Sequence, residues 1–131
     1  MLAGRTVAIV SNVASVGLLA AGACREHGLT VHRPHGLTRR RLRALVPAAG
    51  LVTGPVDMTA TVSGEDFRQC LELLGADDEV NAIIALILPT GATGDLVAAV
   101  TEADVSIPLA AAVLNQPESV RLLPRPKISG G

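Results

Sequence analysis

Thr6-Val7-Ala8-Ile9-Val10-Ser11-Asn12 is the stretch whose reading decides the fold. Its first five residues form a continuous apolar, β-branched run that stops at a polar pair. A strand with one face in water alternates apolar and polar side chains, whereas an unbroken run of this length fits a parallel strand covered on both faces. The segment that follows supplies one cover. About Val16 to His27 is rich in Ala and Gly around Leu18 and Leu19, which reads as a helix with small residues for close packing, and Gly28 suits its C-terminal cap.

Moving outward, a second strand is expected at about Leu29 to Arg33. It leads through Pro34-His35-Gly36 to a short helix near Thr38 to Val46, which Pro47 stops. Leu51-Val52 reads as a short strand within a loop. Ser63 followed by Asp66 approximates a capping box, and Phe67, Cys70, Leu71 and Leu74 then share one helical face that ends at Gly75. Ala82 to Leu88 is the clearest strand. Pro89-Thr90-Gly91-Ala92-Thr93-Gly94 forms a loop before a helix running to about Ala103, and a last strand is expected at about Leu109 to Leu114. Asn115 to Leu123 is expected to add a short terminal helix. Strands alternating with helices through right-handed crossovers predict an α/β fold, a doubly wound, mostly parallel sheet with helices on both faces. No internal repeat is visible. One domain is expected over 1–123, with 124–131 as a flexible tail or linker.

The 131 residues, 49% apolar and 18% charged, suffice for a single core. A net charge of -1 and a sequence pI near 6.3 exert no global pull toward nucleic acid or an anionic membrane. Phe67 is the one aromatic residue, so no platform exists for stacking bases or a flavin ring, which argues against an RNA-binding module and a flavoprotein. Cys24 and Cys70 lack metal-ligand spacing and read as buried thiols. No apolar run reaches the roughly 18 to 20 residues of a membrane helix, since Arg25 and Glu26 close the first long one. The start Met1 to Arg5 runs directly into a strand without a basic leader, so a cytoplasmic location is expected.

In open α/β sheets ligands bind outside the carboxyl ends of the strands, where adjacent crossovers leave to opposite sides. Two loops belong there. Ser11-Asn12-Val13-Ala14-Ser15-Val16-Gly17 sets free backbone N–H groups and a positive helix end beside a polar strand end, a usable place for phosphate or carboxylate. It matches neither of the glycine-rich phosphate motifs, and turn chemistry alone also accounts for it. Thr90 to Thr93 offers hydroxyls and flexible backbone, with Thr93 as a helix N-cap for its structural reading. His32 and His35, three apart, invite a metal reading, but without a third ligand nearby they read as surface histidines. His27 suits a helix C-terminus. Arg39, Arg40, Arg41 and Arg43 form the only basic cluster, able to meet phosphates and equally able to face solvent. Asp57 is placed in a loop near the binding edge, where it would support the first loop by accepting backbone hydrogen bonds. No acid/base pair or nucleophilic triad assembles, so no catalytic residue is assigned.

Several segments in order carry a family resemblance. They are the strand ending Ser11-Asn12, Gly17-Leu18-Leu19-Ala20-Ala21, Cys24-Arg25-Glu26-His27-Gly28-Leu29, Leu42-Arg43-Ala44-Leu45-Val46-Pro47, Gly54-Pro55-Val56-Asp57-Met58-Thr59 and Asp77-Asp78-Glu79-Val80-Asn81-Ala82. The series, spanning Gly4 to Leu123, resembles the succinyl-CoA-synthetase-like (CoA-ligase, flavodoxin-like) domain of NDP-forming acyl-CoA synthetases. That family's first loop usually reads T-N-A-G-G-P-G and its later one N-P-V-D. The resemblance implies a flavodoxin-like sheet and a part in forming acyl-CoA from acid, CoA and ATP, with a phosphohistidine held between helix N-termini. By position, Ser11, Asn12, Val13, Ala14, Ser15 and Gly17 would match the phosphate or acyl-carboxylate loop. Thr90, Gly91, Ala92 and Thr93 would match the acyl-acid loop.

The resemblance further implies partners: CoA-binding, histidine-bearing and ATP-grasp domains, in the same or another chain. CoA and ATP or ADP with Mg would belong to the complete enzyme and no cofactor to this domain alone, which is expected to be inactive in isolation. Neither nucleic acid nor membrane is expected as a partner, and self-association is left open. Two departures stand out. Ala14 and Ser15 replace the glycine pair, adding Cβ atoms where an anion would approach and where positive φ would need glycine. Gly54 stands in place of Asn. They motivate an alternative, a non-catalytic acyl-CoA-sensing or regulatory domain with a degraded phosphate loop, linked to a protein acetyltransferase.

Overall fold

The computed structural model describes residues 4–115 and 119–122. The expected tail at 124–131 lies outside these residues. β1 (Thr6–Ser11) is the hub of the sheet, with Val7, Ala8, Ile9 and Val10 all buried. It pairs in parallel with β2 (Thr30–Val31), β4 (Val56–Asp57) and β5 (Ala82–Ile87). β5 pairs in parallel with β6 (Leu109–Asn115). Two antiparallel strands flank this parallel centre: β3 (Leu51–Val52) on β4 and β7 (Ser119–Leu122) on β6. The sheet is therefore mixed and mostly parallel, as the sequence predicts.

β2 and β4 share one edge of β1. Thr6 and Val7 face Thr30 and Val31, while Val10 and Ser11 face Val56 and Asp57. β2 is accordingly cut to two residues, shorter than the expected Leu29 to Arg33. At the junction a Cβ on Gly54 would lie 2.6 Å from the His32 carbonyl oxygen, so the family's Asn does not fit this backbone. Asp57, expected in a loop, is a strand residue for the same reason: β4 must complete the carboxyl half of that edge. At the chain's other end, the short helix expected at Asn115 to Leu123 is overturned where residues are described. Ser119–Leu122 form β7, paired with Ala112–Asn115, which caps an edge of β6 that a helix would leave unpaired. Residues 116–118 and 123 of that expectation lie outside the described residues.

Among the described residues, four helices divide three to one. α1 (Ala14–Glu26) buries Gly17, Ala21 and Cys24, and Ala21 and Cys24 pack with Val7, Ile9 and Val31 on one face of the sheet. It starts two residues before the expected Val16, because the Ser11 hydroxyl donates to the Val13 carbonyl at 2.7 Å and turns the chain at once. At its end the His27 ring meets the Ala23 carbonyl at 2.9 Å, and Gly28 takes φ +81. The other face carries α2 (Gly36–Leu45), α3 (Gly64–Gly75) and α4 (Thr93–Glu102). Phe67, Cys70, Leu71 and Leu74 of α3 are fully buried against Ala8, Val10, Ile83, Ala85 and Ile87. Burial pushes the Cys70 thiol up to about 12, so it stays protonated and behaves as an apolar side chain. α3 begins as expected, with the Ser63 hydroxyl accepting the Asp66 N–H at 3.0 Å.

Among the described residues, the single helix on the α1 side leaves that face thinly covered. Ala82, Ile84 and Leu86 of β5 are half-buried there, while Ile83, Ala85 and Ile87 on the opposite face are buried. Leu18 and Leu19 on α1 are 59% and 77% exposed.

This division makes a sharp contrast in denaturant. Phe67→Ala empties the densest part of the three-helix side and is expected to lower the unfolding free energy by about 3–5 kcal/mol. Leu19→Lys, on the solvent side of α1, is expected to change it by no more than about 0.5 kcal/mol. Urea unfolding of both variants checks the assignment of layers, which equal losses would refute.

Candidate functional site

The chain leaves β1 toward α1 on one face and leaves β5 toward α4 on the other. β1 and β5 are neighbours, so a crevice opens between the two loops at the carboxyl edge of the sheet. Both loops singled out in the sequence lie here.

Asn12 spans the crevice. Its Oδ1 accepts the Leu88 N–H at 2.8 Å and its Nδ2 donates to the Leu88 carbonyl at 2.9 Å. The residue is 1% exposed. Its carboxamide therefore clasps the end of β5, and what it presents outward is the backbone that it positions. Ser11 is fully buried, its hydroxyl spent on Val13. Gly17 faces inward: a Cβ there would sit 2.9 Å from Pro55 Cγ and 3.1 Å from Ser11 Oγ, so glycine lets α1 close onto the entry to β4.

The start of α1 stands apart from the other two helices that begin at this edge. Its N-cap, Val13, makes no side-chain capping bond and its first turn carries no acidic residue. α3 has the Ser63 cap with Glu65 and Asp66 in its first turn, and α4 has Asp95. The first-turn N–H groups of α1 therefore have neither a capping side chain nor an acidic residue of their own turn to offset the helix dipole. Ala14 and Ser15 are ordinary helical residues. Among the described residues Thr59 is the only non-glycine with positive φ, so the expectation that this position needs glycine for its backbone is overturned. Their Cβ atoms remain at the mouth.

The second loop is held by its own hydroxyls. Thr93 Oγ1 accepts the Thr90 N–H and donates to the Thr90 carbonyl, both at 2.7 Å, and Thr90 Oγ1 accepts the Ala92 N–H at 3.1 Å. Thr93 is thus the first helical residue rather than the N-cap, which is Ala92. The Thr90 hydroxyl keeps its proton to donate. A Cβ at Gly91 or Gly94 would meet nothing within 4 Å, so the space over this loop is open.

Asp57 accepts the Thr59 N–H through Oδ1 at 2.9 Å and holds Thr59 at φ 73. It braces its own turn, not the first loop as expected. The first loop is tied to this segment instead by the Met58 N–H, which donates to the Ser11 carbonyl at 2.9 Å. Thr59 escaped sequence reasoning. The one available signal was an Asp two residues earlier, the spacing of an Asx turn.

A second polar cluster lies at the opposite edge. His32, expected at the surface, is 4% exposed, because the shortened β2 tucks it beneath the loop after α3. Among the described residues its Nε2 has no hydrogen-bond partner, and it lies 3.4 Å from Asp77 Oδ2. His35 Nε2 meets Glu79 Oε1 at 2.8 Å, and the Thr38 hydroxyl donates to Asp77 at 2.7 Å. The Glu79 hydrogen bond and charge hold the His35 pKa above its ordinary value. Burial pushes the Asp77 pKa up, but the Glu79 N–H, the Thr38 hydroxyl and the two histidines outweigh it and leave that pKa lowered. Among the described residues no three His, Cys, Asp or Glu side chains are arranged to hold a metal ion. No described helix is long and apolar enough to cross a membrane.

Fold and edge together define a doubly wound α/β domain of flavodoxin-like type, with two strand-end loops joined across its switch point. Comparison with known proteins places it further. The chain is 35% identical over 88 residues to the acetate–CoA ligase [ADP-forming] II subunit alpha of Pyrococcus furiosus, covering 66% of this chain and 19% of that protein. It is 31% identical over 84 residues to the acetate–CoA ligase [ADP-forming] I of Archaeoglobus fulgidus, covering 64% of this chain and 12% of that one. The crystal structure of PH0766 from Pyrococcus horikoshii OT3 superposes with a TM-score of 0.77 at 30% identity over 89% of this chain and 29% of the other. No family model matches. The chain is homologous to a part of the ADP-forming acetyl-CoA synthetases, in keeping with the CoA-ligase-like domain its motifs resemble. It spans less than a third of each of these relatives.

Two outcomes test the geometry. Asn12→Leu strands the Leu88 N–H and carbonyl, and is expected to cost about 2–4 kcal/mol and to speed hydrogen exchange at the Leu88 amide; an unchanged exchange rate would dissolve the clasp. At the other edge, His35 has a raised pKa, so the stability from its pairing is complete below the ordinary value of 6.5 and is lost as pH rises through the raised pKa. Asp77 has a lowered pKa, so its contribution is present above its ordinary 3.8 and is lost as pH falls through the lowered one. His35→Gln is expected to flatten the alkaline decline in melting temperature and leave the acid limb in place.

Proposed function

We infer that this chain serves as a CoA-ligase-like domain of an NDP-forming acyl-CoA synthetase, contributing the start of α1 as an anion-binding helix end. The reaction is acid plus CoA plus ATP giving acyl-CoA, ADP and phosphate, by way of a phosphohistidine carried on another domain. The observation that carries this reading is the uncapped, acid-free start of α1 at the switch point, in a chain whose curated relatives are named ADP-forming acetate–CoA ligases. The N–H groups of Ala14, Ser15 and Val16 would meet the phosphate or acyl carboxylate. Asn12 and Gly17 would position them, and the Thr90 hydroxyl, as a donor, and the open backbone at Gly91 would face the acyl acid. CoA, and ATP or ADP with Mg, would belong to CoA-binding and ATP-grasp domains in the same or another chain.

Magnitude explains why such a domain would work only in company. One helix terminus contributes about 0.3–2 kcal/mol toward an anion, whereas a millimolar dissociation constant requires about 4 kcal/mol. Two facing helix ends and a charged partner would be needed to hold a phosphate well.

The Cβ atoms of Ala14 and Ser15 favour a second reading, in which the loop no longer handles phosphate and the domain senses acyl-CoA for a linked acetyltransferase. Amide-resolved NMR titration with inorganic phosphate, CoA, acetyl-CoA and ADP separates the two. The first reading expects weak phosphate shifts centred on Ala14, Ser15 and Val16, abolished by Ser15→Asp, which places a carboxylate on the same N–H groups. Phosphate shifts absent from the native chain but present in an Ala14→Gly, Ser15→Gly variant, with acetyl-CoA shifts in the native chain, would support the second. Silence at α1 with every ligand in both proteins would overturn both.

A further inference from the structure

The outer surface of the α2–α3–α4 layer has an uneven charge pattern. α3 lies in the middle, packed against α2 on one side and α4 on the other. On α2, Arg39, Arg40, Arg41 and Arg43 are all exposed, and among the described residues none has a carboxylate within ion-pair distance. On α4, Asp95 and Glu102 are exposed and likewise without a described basic partner. Between them α3 carries three acids, Glu65, Asp66 and Glu72, against one base, Arg68, so its net charge is also negative. Arg68 holds Glu65 at 2.6 Å and Glu72 at 2.9 Å, and Glu72 also accepts the Asp104 N–H at 2.9 Å.

Two grooves follow the same order. The one between α2 and α3, about 450 Å³, has Ala44, Leu45 and Leu73 in its lining with Arg41 at its lip. The one between α3 and α4, about 290 Å³, is bordered by Asp95 and Glu102. One side of this face thus carries unneutralised positive charge and an apolar strip, and the other carries unneutralised negative charge.

We propose that this face is a self-complementary docking surface for a second copy of the chain, in which the basic α2 of each protomer lies along the acidic α3–α4 groove of the other. A two-fold axis parallel to α3 brings α2 of one protomer over α4 of its partner and stacks α3 on α3. An in-plane axis perpendicular to α3 would set the four arginines of one copy against the four of the other. Charge therefore selects the first arrangement, which is the isologous geometry of a closed dimer. Running directions agree with it. The Thr38 hydroxyl ties the start of α2 to Asp77, just beyond the end of α3, so α2 runs antiparallel to α3. α3 and α4 each follow a parallel strand and run back across the sheet. Along the axis, the Arg39 end of α2 then lies at the Glu102 end of the partner's α4, and the Arg43 end at the Asp95 end. The choice of a second copy over an unrelated acidic partner rests on both halves of the complement occurring on one face of this chain. Its net charge of -1 adds little repulsion between copies.

The experiment is sedimentation equilibrium of the chain at about 50 mM and about 500 mM NaCl, where screening lengths differ several-fold. The expected result is a dimer that dissociates at high salt. Arg39→Glu with Arg43→Glu, and separately Asp95→Lys with Glu102→Lys, are each expected to give monomers at low salt. An equimolar mixture of the two variants, and a single chain carrying all four changes, should dimerise again, because both restore opposite charges across both contacts. Circular dichroism confirms that each variant is folded. A native monomer at low salt, a dimer indifferent to either reversal, or failure of the combined changes to restore association would each overturn the proposal. An interface through the exposed Leu18 and Leu19 of α1 would show itself as such an indifferent dimer, lost instead in Leu18→Ser, Leu19→Ser.

Discussion

A buried carboxamide holds together the two halves of the carboxyl edge of the sheet. Asn12 follows β1 and Leu88 follows β5, strands whose connections depart to opposite faces of the sheet. Nothing in the backbone ladder joins them beyond the last paired residues, Ser11 and Leu86. The pair of bonds at 2.8 and 2.9 Å continues that ladder through a side chain. Such bonds contribute about 1 kcal/mol each when made, but leaving their buried partners unmatched costs more, so the arrangement resists any other residue. The helix end at Val13 and the threonine turn at Thr90 inherit their separation from it.

Legibility followed length and periodicity. β1 and β5, each six residues, declared themselves as uninterrupted apolar runs, and α3 by its cap and its Phe67-Cys70-Leu71-Leu74 spacing. β3 lies at Leu51-Val52 as read, but β2 and β4 are two residues each, and what defines them is the sharing of the β1 edge, a tertiary arrangement that no local pattern encodes. β7 follows the same logic: its partner is β6, and its own four residues carry no hairpin signal. The loops of the site were legible as places but not in their contacts. Asn12 and Ser11 are as polar in the sequence as any ligand-binding pair, and only the structure shows that their polar groups turn inward. His32 was misread because its burial depends on where β2 stops.

The departures from the family pattern change meaning once placed on the backbone. Ala14 and Ser15 lie inside α1, where alanine is a good helix former and no left-handed conformation is called for. What they alter is access alone. Gly54 is the opposite case. It is required by contact, since its neighbour across the strand junction is the His32 carbonyl, and an asparagine would demand that β2 and β4 move apart. A side-chain donor has been given up there in exchange for a tighter join between the two short strands.

Uneven layering connects these local choices to the behaviour of the whole domain. Three helices on one side bury Phe67, Leu71, Leu74 and Leu96 completely, whereas α1 alone must cover the other side and leaves Ile84 and Leu86 half-exposed. The open helix end belongs to the thinly covered side. An anion at that end would act on the one helix with the fewest neighbours. The energy available from a helix terminus, about 0.3–2 kcal/mol, is small beside the several kcal/mol a well-packed helix gains from burial. It is large enough to bias how α1 sits over Val7, Ile9 and Val31, because little else restrains its outer surface. The Gly17–Pro55 contact and the Met58 N–H bond to the Ser11 carbonyl tie α1 to the strand junction that sets the shape of the edge.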